Sequence, residues 1–244
     1  MANIPTLTPA PGFDQGMDIR SFLSGFRYLD TFFPSGGFAY SSGLETAVQE
    51  GRVQTSEDLN RYVADYLWWG LGRCEAVALA QGHRAACRRD LPDLLRADHG
   101  LEAMKLCRET RAASRQMGRS LLHNAVGSET PHSILHAFRE AVYSGRAPGH
   151  WAVVLGVTLQ TAGWNQPCAV AGLLYQAGTG FVSASYKLLS IGQREGQRLL
   201  EAWLTLMVEL SQSVDAETPM TSWAPIQDID AMRHARLPIR LFRS

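Results

Sequence analysis

The run Ser35-Gly36-Gly37-Phe38-Ala39-Tyr40-Ser41-Ser42-Gly43 leads into an apolar-periodic stretch. Phosphate-binding loops use the same arrangement to aim backbone amides and a helix N-terminus at an anion. This run lacks the Gly-Lys-Ser/Thr ending that adds a cation and a magnesium ligand. Ser41 is also outside the Gly-x-Ser-x-Gly setting that exposes a hydrolase nucleophile. The segment therefore reads as a tight turn, with Gly36, Gly37 and Gly43 supplying freedom, Phe38 and Tyr40 packing beside it and Ser41 as a turn or cap residue. A β-branched residue at Gly37 is expected to destabilise the fold if the turn needs positive φ there. His132 and His136 stand four apart on an expected helix, a spacing able to hold a metal, but no third ligand follows them. Cys74, Cys87, Cys107 and Cys168 lie far apart with no Cys-x-x-Cys pair, which suits reduced thiols. Arg108, Arg111, Arg115 and Arg119, extended by Lys105 and His123, line one helix face, and Glu102 and Glu109 are too few to pair with them locally. The stripe is either a solvated face, or one paired with acids elsewhere, or a docking face for an acidic surface, where the guanidinium fork favours bidentate carboxylate contacts. No residue is assigned a catalytic, cofactor-binding or metal-binding role.

The elements that would position these residues are helices, since 3.6-residue periodicity recurs and strand alternation does not. An all-α fold is expected, a single helical domain of about eight to ten helices with a short extended C-terminal arm. Helices are read over about 42–50, from a Thr55 or Ser56 cap to Gly70, over 75–88, and as one long helix from near Asp98 to Ala125. Thr130-Pro131 opens the next, Trp151 to Ala162 forms another, and Asn165-Gln166-Pro167 starts one expected to break near Gly178. Ser190 and Gln193 suggest a capping box for a last long helix ending near Val214. Residues 1–25 are expected to be a flexible segment, 26–214 the helical domain, and 215–244, with Pro219, Pro225 and Pro238, the arm.

Of 244 residues, 23 are Lys or Arg and 23 Asp or Glu, so the chain has no overall field to steer it to nucleic acid or anionic lipid. Its 45% hydrophobic content is enough for a sizeable core. The N-terminus has neither the basic start nor the apolar run of a signal peptide, and Trp151 to Tyr175 falls short of ~20 unbroken apolar residues. A cytoplasmic location, without membrane or nucleic-acid partners, is expected.

The segment Phe33 to Glu45, with its proline, glycines, aromatics and Gly43-Leu44-Glu45 ending, resembles the hallmark of the UreF family of urease accessory proteins. Ser114 to Gly118, Lys187 to Leu200, Met232-Arg233-His234 and Arg240-Leu241-Phe242-Arg243-Ser244 resemble further family stretches in the expected order, whereas Ala235 to Ile239 depart from the family's polar residues. The resemblance implies a helical, homodimeric, non-catalytic adaptor that joins the GTPase UreG and the scaffold UreD, also called UreH, to apo-urease during nickel delivery, with GTP turnover on UreG. Partner contacts are expected, from the resemblance or the stripe, at Phe38, Tyr40, Ser41, Glu45, Arg111, Arg115, Arg119, Arg240, Phe242 and Arg243. Two alternatives are a nickel-binding metallochaperone, using His132, His136 or the cysteines, and a helical hydrolase using Ser41 or a histidine.

Overall fold

The computed structural model describes residues 17–125 and 133–243. Among these residues there are α-helices and short 3-10 and π turns and no strand, as the all-α expectation requires. In chain order the helices are α1 (Ile19–Leu29), α2 (Leu44–Gln49), α3 (Ser56–Asp65), α4 (Glu75–Arg88), α5 (Leu91–Met104), α6 (Arg108–Asn124), α7 (Ile134–Tyr143), α8 (Trp151–Thr161), α9 (Gln166–Leu188), α10 (Gln193–Ser213) and α11 (Pro225–Arg233). The Thr130-Pro131 opening and His132 lie outside the described residues; α7 is capped by the Ser133 side chain, which accepts from the His136 amide.

The centre of the fold is α8, nine of whose eleven residues are buried. A helix apolar on every side has no solvent face and must be surrounded, and α4, α6, α7 and α9 pack around it. The α4 contact is close because Gly156 has no side chain: a Cβ there would sit 2.5 Å from the Leu79 carbonyl oxygen. Thr55 and Asp58 form a capping box that fixes the start of α3, whose last turn continues into a π-helical turn, Tyr66–Leu71.

Several boundaries depart from expectation. The long helix expected from Asp98 to Ala125 is two, α5 and α6, because the chain turns extended at Lys105 and Cys107. Lys105 turns inward to Glu75, 2.5 Å away, and the Arg111 Nε donates to the Lys105 carbonyl freed at the end of α5 (3.0 Å). No break occurs near Gly178: α9 runs 23 residues, and Met207, Leu200 and Trp203 of α10 fill the space beside that glycine. Ser190 makes no cap among the described residues; α10 starts at Gln193, and Gly192 before it gives no side-chain cap. The N-terminal segment, described from residue 17, is helical from Ile19, with Asp18 accepting from the Ser21 amide. The expected extended arm carries α11 and a 3-10 turn, His234–Arg236, instead.

Candidate partner-docking site

The glycine-rich segment folds as two successive tight turns. Gly36, at φ +79°, starts a 3-10 turn over Gly37–Ala39, and Ser42 and Gly43, at φ +51° and +87°, bring the chain into α2. Positive φ is therefore needed at Gly36 and Gly43, not at Gly37 as the sequence suggested; the space beside Gly37 is limited instead by the Met117 methyl, 3.1 Å from an added Cβ. Gly43 has a second task. A Cβ there would lie 3.0 Å from the Ala231 nitrogen, the Asp230 Cβ and the Gln227 oxygen, so its bareness lets α11 lie against α2.

Glu45, in the first turn of α2, is fully buried. Its carboxylate accepts from the Leu241 amide (2.6 Å) and the Phe242 amide (3.2 Å), and pairs with His234 Nε2 at 2.7 Å. A buried carboxylate is tolerated only when its oxygens are occupied in this way. Further contacts extend the latch: the Arg243 amide donates to the Ala39 carbonyl (2.8 Å), and the Gln49 side chain to the Ile239 carbonyl (2.9 Å). Lys187 sits over the Phe242 ring at 5.2 Å. One turn away, buried Asp230 accepts from Arg52 (2.8 Å) and the Tyr62 hydroxyl (3.2 Å), while Gln227 donates to the Tyr62 carbonyl (3.1 Å). Burial, then the Asp230 charge, pushes the Tyr62 phenol well above its ordinary range.

These bonds turn α11 inside out. Its polar residues Gln227 and Asp230, followed by His234, face the protein, while Ile226 and Ile229 face solvent with Trp223 before them and Met232, Ile239 and Leu241 after. The Trp223 amide is tied to the Trp69 carbonyl (3.0 Å), which holds the start of this apolar face in place. A contiguous exposed apolar face is the usual mark of a protein-binding surface.

The arginine stripe divides. Arg115 Nε donates to Glu102 at 2.8 Å, and Arg111 Nη1 lies 3.7 Å from the same carboxylate. Arg108 and Arg119 are exposed and make no ion pair among the described residues. Beneath the stripe, fully buried His150 places Nε2 2.7 Å from Glu102 and Nδ1 3.1 Å from the Ser114 hydroxyl, and buried Asp98 accepts from the amides of Gly149 (2.6 Å) and His150 (2.9 Å). Burial lowers the His150 pKa to about 4 and raises that of Asp98 to about 6. Burial opposes ionisation of Glu102, but Arg115 and His150 hold its carboxyl below the ordinary range.

Of the expected contact residues, Phe38 is strongly exposed and Arg240 and Arg243 lie on the surface, whereas Ser41, Glu45 and Phe242 are buried, the last two in the latch. Arg52, Tyr62, Gln227, Asp230 and His150 pair over tens to well over a hundred residues and leave no local pattern, whereas Glu102, expected with Glu109 to be too few to pair the stripe, binds Arg115 and lies near Arg111. His234 belongs to the Met232-Arg233-His234 stretch, but its partner Glu45 lies 189 residues away. Among the described residues, no three His, Cys, Asp or Glu side chains gather as a metal site would need. Tyr40 and Ser41, with the rest of the turn, border a cavity of about 260 Å³ between α6, α8 and α9.

Residues 53–204 match the UreF family. The chain is 31% identical over 221 residues to the urease accessory protein UreF of Actinobacillus pleuropneumoniae serotype 5b (strain L20), an alignment covering 88% of this chain and 96% of that protein. It is 31% identical over 219 residues to the protein of the same name from Haemophilus influenzae (strain ATCC 51907 / DSM 11121 / KW20 / Rd), covering 88% and 92%, and 29% identical over 228 residues to that of Bacillus sp. (strain TB-90), covering 93% and 100%. Near-complete coverage of relatives at this identity, with the family match across the centre of an all-helical fold, settles its kinship: the chain belongs to the UreF family.

Proposed function

We propose that this protein is a non-catalytic adaptor of urease maturation, working in the cytoplasm as a homodimer. It joins the GTPase UreG and the scaffold UreD, or UreH, to apo-urease while nickel is delivered, and GTP turns over on UreG. The observation that carries this reading is the inverted α11, whose apolar residues are held outward by buried polar contacts. A helix that hides its polar side and exposes its apolar one gains its full burial only when a partner covers it. Phe38, Arg240 and Arg243 border the same region, and Tyr40 supports the turn beneath it. The open part of the arginine stripe, Arg119 above all, offers a separate contact for an acidic partner, with Arg111 and Arg115 contributing what Glu102 leaves uncompensated. A second copy is best suited by α1, whose Ile19, Phe22, Leu23 and Phe26 form an exposed stripe at helical spacing.

The experiment is co-purification of UreD or UreH, UreG and apo-urease with Ile226→Ser/Ile229→Ser beside wild type, together with nickel-dependent activation of urease. Loss of the complex and of activation at an unchanged melting temperature is the expected result. Full recovery of both contradicts the reading. Tight stoichiometric nickel binding by the isolated protein would favour a metallochaperone instead.

A further inference from the structure

We propose that the cavity beside the glycine-rich turn is a binding site for a small zwitterion, of the size and chemistry of a free α-amino acid. The main cavity, about 260 Å³, adjoins a smaller one of about 30 Å³ under α11. Both are lined by Ser42, Tyr66, Glu75, Lys105 and Thr110, so this group forms their shared wall. The larger volume lies just under the ~300–1,000 Å³ of sites for drug-sized ligands, which points to a smaller metabolite.

The polar groups on the wall have capacity to spare. Lys105 and Glu75 are paired at 2.5 Å with side chains only 10% and 12% exposed. An ammonium carries three donors and a carboxylate about four acceptor sites, and each group has the other as its one hydrogen-bonded side-chain partner in the described chain. The Tyr66 hydroxyl bonds to nothing in the described chain. Ser42 lines the same wall from a left-handed backbone, φ +51°, a conformation costly for a residue other than glycine and concentrated at ligand sites.

Charge selects the ligand class. Lys105 is already compensated by Glu75, with Asp228 lining the smaller cavity and Asp30 the larger, so a simple anion would meet opposing carboxylates, and a simple cation, though drawn by those acids, would meet the Lys105 ammonium at the wall. A zwitterion avoids both: its carboxylate takes the spare Lys105 donors, its ammonium takes the spare Glu75 acceptors, and the net charge of the buried site is unchanged. Trp151, Phe181, Met117 and Leu173 supply an apolar surface for the ligand's side chain.

The test is calorimetric titration of the full-length protein with glycine, L-leucine and L-phenylalanine, with acetate and methylammonium as single-charge probes. Saturable binding of at least one amino acid, with no binding of either probe at the same concentration, is expected. The paired variant Lys105→Met/Glu75→Gln removes both charges without leaving one buried alone, and should weaken that binding at least ~tenfold, the scale of one charge-assisted contact. Its melting temperature shows that it is folded. No saturable binding of any amino acid overturns the proposal, as does equal binding of acetate or methylammonium, or undiminished binding by the folded paired variant. Partner co-purification does not enter this readout, so failure here leaves the adaptor reading standing, and failure there leaves this one.

Discussion

Two glutamates in this protein each sit 2.7 Å from the Nε2 of a fully buried histidine, Glu45 with His234 and Glu102 with His150, yet they have different surroundings. Glu45 is sealed, and its other acceptor sites are filled by backbone amides from a segment almost two hundred residues on. Glu102 is 21% exposed, and its other partners are the arginines of the surface stripe. The first arrangement is a latch, where loss of the carboxylate releases a chain segment. The second adjusts the charge of a surface, and water can replace part of what is lost.

The sharpest way to break this contrast is Glu45→Ala, which strands a buried histidine and two amides at once. A stability loss of about 3–5 kcal/mol is expected by urea denaturation, with early proteolysis after residue 233. A loss below that of Glu102→Ala would erase the distinction. Gly43→Val attacks the same latch through the backbone. Strain at positive φ and a Cβ pressed against α11 should together cost roughly 2–4 kcal/mol, where Gly37→Val, lacking the positive φ, should cost less.

The Glu102 region is probed by pH. His150 has a folded pKa of about 4 against an ordinary 6.5, so the unfolded chain binds the extra proton between these values. Stability from this group is thus present above pH 6.5 and lost as pH falls toward 4. Asp98, raised to about 6 from 3.8, has the opposite sign: its contribution is present below 3.8 and lost as pH rises through 6. The two oppose each other in that window. The advantage of wild type over His150→Gln should therefore grow, on the order of 1–3 kcal/mol, from pH 4 to 6.5 and then level off. A pH-independent difference would mean that His150 is not held neutral by burial. The smallest stability effect is expected for Arg119→Glu, within ~0.5 kcal/mol, while its binding to an acidic partner should fall and lose its salt dependence. Arg115→Glu should cost more stability, because it sets two carboxylates side by side.

The contrast also explains what could be read from sequence. The helical class, a cap at Thr55 or Ser56, the extent of α4 and a helix starting at Trp151 follow from local spacing and composition, and the structure bears them out, with Thr55 as the cap. The C-terminal segment did not look structured because α11 is only nine residues long, lies among Pro219, Pro225 and Pro238, and is held by polar residues whose partners lie well over a hundred residues away. The α5–α6 break was hidden because the contact that accompanies it, Lys105 with Glu75, joins residues 30 apart in sequence. In the glycine-rich turn, residue types announced a tight bend but not which glycines are left-handed, and only at Gly43 does the packing of α11 add a second requirement.

The most direct test of the latch is amide hydrogen exchange at Leu241 and Phe242 in wild type and Glu45→Gln. Glutamine keeps the shape and one carbonyl acceptor but not the charge or the second acceptor oxygen. The account predicts slow exchange at both amides in wild type and at least ~tenfold faster exchange in the variant, with α8 still protected. Fast exchange at both in wild type, or protection unchanged in the variant, would contradict it.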